Sequence, residues 1–272
     1  MTPTFVEYTL APTLRGLVRS AWSVSYSAAT PDPLPGVIAP DAHVEFVFQT
    51  GSPCEVLTVG AVKAQLSPRA MIFALRRGVL RLRPTGANTI FAFRVPAAVA
   101  SAILGRSLSD YWDRPVALSA LIGGAADEFA DRIAATPIPA LGVLLETWLT
   151  ARLSDWGAEQ ARHLRLQNAL FWRFVREPVS TLADDIGVTT RTLRRHCERY
   201  SGLSPKQVTM SGRILRACVA LRDEREVPIV EVGHGMGFND QAAFTNAFRH
   251  YVGMTPAQFR AEPIVYCEGA RG

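Results

Sequence analysis

Four arginines crowd one short stretch. In "TTRTLRRHCER", residues 189–199, a helical period turns Leu193, Cys197 and, one turn on, Tyr200 inward, and leaves Arg191, Arg194, Arg195 and Glu198 facing out. A guanidinium in that position offers a planar fork of donors. It can hold a phosphate, or donate two hydrogen bonds to guanine O6 and N7 in a major groove. Arg199, near the helix end, is better placed for phosphate. Thr189 and Thr190 stand where a helix begins, able to cap it or to bond phosphate or base.

The same unit occurs again about 50 residues later, in "GFNDQAAFTNAFRHYVGMTP", residues 237–256. Leu193 matches Phe244, Cys197 matches Phe248 and Tyr200 matches Tyr251, and the closing Gly202, Ser204, Pro205 and Gln207 match Gly253, Thr255, Pro256 and Gln258. The outward positions are now Gln241, Ala242, Thr245 and Asn246, with Arg249 further on. Gln241 and Asn246 suit adenine, but this face is nearly neutral, so it should contribute less base specificity and less counterion release. Phe238, Phe244, Phe248, Tyr251 and Phe259 fall at helical spacing and read as core.

Each copy needs a first helix and a tight turn to present the second. "STLADDIGV" (180–188) and "VPIVEVGHGMG" (227–237) supply them, with Gly187 and Gly237 at the turn and Ser180 or Thr181 as the expected cap of the earlier helix. Three glycines in "GHGMG", Gly233 among them, predict a weakened helix in the second copy. A longer helix over roughly 205–225 joins the units. Two short helices around a glycine turn are a helix-turn-helix pattern. Two on one linker can enter successive major-groove segments, about 34 Å apart.

Charge agrees with this placement. Of the net +5, residues 1–160 contribute nothing, with 13 basic and 13 acidic side chains, whereas 161–272 carry 16 and 11. Basic charge confined to one region points to a polyanion. No apolar run is long enough to span a membrane, and no signal-peptide pattern opens the chain. Cys54, Cys197, Cys218 and Cys267 form no CxxC pair, which fits reduced thiols and a cytoplasmic setting.

"TLADDIGVTTRTLRRHCERYSGLSPKQV" with "IVEVGHGMGFNDQAAFTNAFRHYVGMTPAQFR" resembles the DNA-binding domain of AraC/XylS-type bacterial transcription regulators, over roughly residues 160–261. The resemblance implies two helix-turn-helix units, with Thr190, Arg191, Arg194, Arg195, Arg199, Gln241, Thr245, Asn246 and Arg249 as DNA-binding positions. "IAPDAHVEFVFQTGSP" (38–53) and "RLRPTGANTIFAF" (81–93) are more loosely similar to a cupin-like sensor class of this family.

The expected fold class is α+β. A β-rich cupin-like barrel or sandwich with flanking helices takes residues 1–156, and an all-α domain of two helix-turn-helix units joined by a linker helix takes 160–262, with "SDWGAEQ" (154–160) at the boundary. Strands are expected at 17–27, 43–50, 55–62, 70–75, 79–84 and 89–95, and a helix from Pro96. Trp22, Phe46, Phe48, Phe91 and Phe93 are candidate liners of a small-molecule pocket or members of a fully packed core, with Arg83 or Arg94 to hold an anion. The stripe Leu141, Leu144, Leu145, Trp148, Leu149 and Leu153 either packs on the barrel or forms a dimer surface. The expected partners are double-stranded DNA and a small-molecule effector, with a homodimer open as well; no cofactor, metal, membrane or catalytic role is expected. A rival reading is a cupin-like enzyme or DNA-repair-type protein, resting on Asp41, His43 and Glu45 as metal ligands or Cys54 as nucleophile. One histidine is few for a catalytic metal, and the zinc-binding cysteine cluster of such a repair module is missing.

Overall fold

The central strands of the protein are apolar on both faces, and a strand with two buried faces belongs in the middle of a covered sheet. The computed structural model describes residues 4–14, 16–27, 36–38, 43–58, 63–74, 80–106, 108, 110–111, 114–153, 173, 177, 179–201 and 204–261, with backbone alone at 36–38, 58, 196 and 199–201. In it β4 (His43–Gly51) and β9 (Asn88–Pro96) pair antiparallel along their whole length, Phe46 opposite Phe93 and Phe48 opposite Phe91. β2 (Ser20–Tyr26) and β1 (Thr4–Glu7) extend the sheet beyond β9; β7 (Ala70–Phe73) and β10 (Pro115–Ala117) extend it beyond β4. A second sheet runs in the order β3 (Gly36–Ile38), β8 (Leu80–Pro84), β5 (Cys54–Thr58), β6 (Gln65–Leu66).

The two sheets join at a corner built from the turns after β4 and β8. Ser52 N donates to the Ala87 carbonyl at 2.9 Å, and Asn88 Nδ2 to the Ser52 carbonyl at 3.1 Å. A side chain on Gly51 would start 2.5 Å from the Ala87 oxygen, so the backbones meet only because it has none. The paired "TGSP" and "RPTGAN" segments thus hold the sheets together.

Period two sorts the sheet's side chains between two cores. Trp22, Val47, Met71, Phe73, Ile90 and Ala92 meet Cys54, Val56, Leu80 and Leu82 of the second sheet. The intervening residues, Phe46, Phe48, Phe91 and Phe93 among them, face the other way, into a core shared with helices. There α3 (Gly124–Ala135), which follows the short α2 (Ser119–Ile122), and α4 (Leu141–Leu153) cover the rings. Trp148 stacks on Phe129 at 4.5 Å and stands edge-on to Phe93 at 6.0 Å. Leu141, Leu145, Trp148 and Leu149 are therefore spent on packing against the sheet.

This arrangement corrects the expected pocket lining. Of the five aromatics, only Trp22 faces the space between the sheets; the four phenylalanines lie on the helix-covered face. Arg83 lies on the outer side of the second sheet, half-exposed and paired with Glu55. Arg94 does point inward, where it meets Glu45 at 3.0 Å with both side chains at or below 4% exposure. His43 is buried at the start of the same strand; Asp41 lies outside the described residues. Cys54 is fully buried with Asn88 Nδ2 at 3.1 Å from its sulfur, and burial pushes its thiol up despite the opposing Asn88 contact. A covered, protonated thiol is the opposite of what a nucleophile needs.

Helix α1 (Ala97–Leu104) begins one residue later than expected, with Pro96 as its N-cap. The helical half follows as α5 (Val179–Asp185), α6 (Thr190–Ser201), α7 (Pro205–Asp223), α8 (Ile229–Gly235), α9 (Gln241–Val252) and α10 (Pro256–Ala261). Ser180 and Thr181 sit inside α5 rather than capping it. The strands β1, β3, β6 and β10 were not expected from the sequence; the boundary stretch 154–160 lies outside the described residues.

Candidate nucleic-acid interface

The repeat seen in the sequence is a repeat of hydrogen bonds. At the turn, Gly187 and Gly237 both take positive φ, 68° and 80°. The next helix is capped in each copy from matching positions: Thr189 Oγ1 accepts from Thr192 N at 3.1 Å, and Asp240 Oδ1 accepts from Ala243 N at 2.7 Å. Beyond it, each copy closes with a capping box. Gln207 Oε1 accepts from Ser204 N and Gln258 Oε1 from Thr255 N, both at 2.9 Å. The reciprocal bonds run from Gln207 N to Ser204 Oγ at 3.4 Å and from Gln258 N to Thr255 Oγ1 at 3.2 Å.

These restraints fix which faces α6 and α9 show. Leu193 and Cys197 are buried on α6, as Phe244, Phe248 and Val252 are on α9. Thr190, Arg191, Arg194 and Arg195 are exposed; the Arg199 side chain lies outside the described residues. On α9, Gln241, Ala242, Asn246 and Arg249 are exposed and Thr245 is half-buried.

Arg191, Arg194 and Arg195 line one side of a groove of about 1010 Å³. Its other side is α7, which contributes Lys206, Thr209 and Arg213. Among the described residues the only carboxylate lining this groove is Glu198, and none of the five cations forms a salt bridge there. Thr190 also borders the groove, whereas the polar positions of α9 stand outside it.

Residues 182–262 match a family of helix-turn-helix domains. A relative named transcription factor PqrA, from Proteus vulgaris, is 29% identical over 92 residues, 33% of this chain and 75% of that one. An AraC-like transcription regulator of Streptomyces lividans is 29% identical over 87 residues, 32% of this chain and 28% of the relative. The chain carries an AraC-type helix-turn-helix domain. The chain thus covers less than a third of that Streptomyces relative's length. The solved structure of ToxT from Vibrio cholerae O395 aligns with 88% of this chain and 96% of its own, at 9% identity and a TM-score of 0.44.

Within the AraC-type domain, the structure corrects one expectation and adds three residues. Gly233 does not simply loosen α8. A Cβ there would lie 2.9–3.1 Å from three atoms of Phe244, so the glycine lets that ring pack against the helix. Lys206, Thr209 and Arg213 went unnoticed in the sequence, although their spacing of three and four residues on a long helix marks one face. They carry no repeat signal, because α7 is the element that connects the two recognition units.

Proposed function

We propose that this protein is a sequence-specific DNA-binding transcription regulator, with both AraC-type helix-turn-helix units placed on one duplex and most of the base reading done by the first. The observation that carries this reading is the exposed, unpaired row Arg191, Arg194 and Arg195 in the first turns of a capped helix. Free guanidiniums at the start of a recognition helix suit guanine, and each bidentate pair supplies about 1–3 kcal/mol of discrimination. Thr190 and Arg199 complete this side as phosphate contacts. Gln241, Thr245, Asn246 and Arg249 form the second, more neutral contact. The two-sheet region acts as the regulatory part, binding a small-molecule effector, and the buried Glu45–Arg94 pair between its sheets is the polar feature an effector would meet.

The test begins by selecting bound duplexes from a random pool. Arg191→Ala or Arg195→Ala should then weaken binding to the selected sequence about 5- to 150-fold relative to unrelated duplex. Equal loss on both would leave only phosphate contact.

A further inference from the structure

The groove beside α6 continues onto a surface that the helix-turn-helix pattern does not account for. Lys206 is the second residue of α7, where the helix dipole is positive, and Arg213 lies two turns along the same face. The Arg213 guanidinium stands 3.7–3.8 Å from the point where a side chain on Gly237 would begin. Arg213 therefore lines the groove of the first unit while lying against the turn of the second. The row of cations does not end with the recognition helix; it crosses the linker.

We propose that this face of α7, through Lys206 and Arg213 with Thr209 between them, binds backbone phosphates of the DNA between the two half-sites. The proposal rests on the DNA-binding reading above. Two recognition helices in major-groove segments one turn apart leave a stretch of sugar-phosphate backbone facing whatever joins them. A cation on the joining helix meets phosphate there, not base edges. Its contribution is indifferent to sequence and strongly dependent on salt, because each neutralised phosphate releases condensed counterions.

The experiment compares the full chain with a Lys206→Ala/Arg213→Ala variant on the duplex selected above, over a series of salt concentrations. The expected result is weaker binding with the slope of log K against log salt shallower by about 1.8, so that a fourfold rise in salt costs the variant about 12-fold less affinity than the parent. Selection from the random pool should return the same base preferences. Arg213→Lys, which keeps the charge, should retain the parent slope, and a thermal melt of each variant separates loss of contact from loss of fold. An unchanged slope in a folded variant overturns the proposal, as does a shifted base preference. So does inorganic phosphate or a free nucleotide binding to the parent and not to the variant while both hold DNA equally, since the groove is then a small-anion site. If the parent retains no duplex at all, the DNA-binding reading itself fails, a result distinct from a parent that binds and a variant that binds identically.

Discussion

At the scale of single residues, the duplication is also a record of compensation. Ala183 and Leu193 in the first unit stand where Gly233 and Phe244 stand in the second, and all four are buried. The larger ring is accompanied by the smaller partner, as close packing demands, since an interior without voids cannot accept extra atoms on both sides. Intrinsic helix preference says that Gly233→Ala should stabilise α8 by about 0.5–1 kcal/mol. The contacts of 2.9–3.1 Å to Phe244 say the reverse, because overpacking a filled site costs about 1–3 kcal/mol. Urea unfolding should show Gly233→Ala to be less stable than the parent, and adding Phe244→Leu should recover part of the loss. A stabilised single variant would mean that propensity, not packing, governs this position.

At the scale of elements, each unit is closed by its capping box rather than by length. Helices of six or seven residues such as α5, α8 and α10 have little stability of their own, and the bonds at their ends and their buried faces must hold them. Ser204→Ala should open the start of α7, and Thr255→Ala the start of α10, each at about 1 kcal/mol by thermal unfolding. No effect from either would show that water serves those backbone donors equally well. The 19-residue α7 has a second task. Its Val208 belongs to the core shared with the sheet, whereas Ile214, Leu215, Ala217, Cys218 and Leu221 belong to the core of the second unit. One rigid element thus anchors in both cores and fixes the separation between the recognition helices.

At the scale of the whole molecule, the buried residues of the first unit, Leu182, Ala183, Leu193 and Cys197, are continuous with the core that covers the sheet. α1 lies between them. Six of its eight residues are buried, and a helix covered on nearly every side must have neighbours on both. Its alanines allow the sheet on one side and α6 on the other to come close. A change within the two-sheet region therefore has a mechanical route to the arginine-bearing helix, and no comparable apolar continuity joins that region to α9 among the described residues. Overpacking this junction with Ala100→Leu should cost roughly 1–3 kcal/mol. Hydrogen exchange should show the loss at 190–201 as well as in β4 and β9, with 241–252 little changed. Exchange that speeds up only in the sheet would remove α1 as a coupling element.

The sequence by itself determined the helix-turn-helix pair, its register and its outward arginines. Those features are written in short-range signals: a period of 3.6, glycines at the turns, and Ser/Thr and Gln three residues apart. Each is decided by neighbours within a turn or two of helix. It also marked Phe46, Phe48, Phe91 and Phe93 as candidates for an interior, whether pocket or packed core, but not what they would meet. β4 and β9 are apolar on both faces, so their alternation carries no label for inside or outside, and hydrophobic burial has no direction of its own. Only the tertiary structure decided that these rings meet helices while Trp22 and the Glu45–Arg94 pair face the second sheet. It alone placed Lys206 and Arg213 beside the recognition arginines and set α1 between sheet and α6, because side chains on different helices are brought together only by packing, not by any local preference.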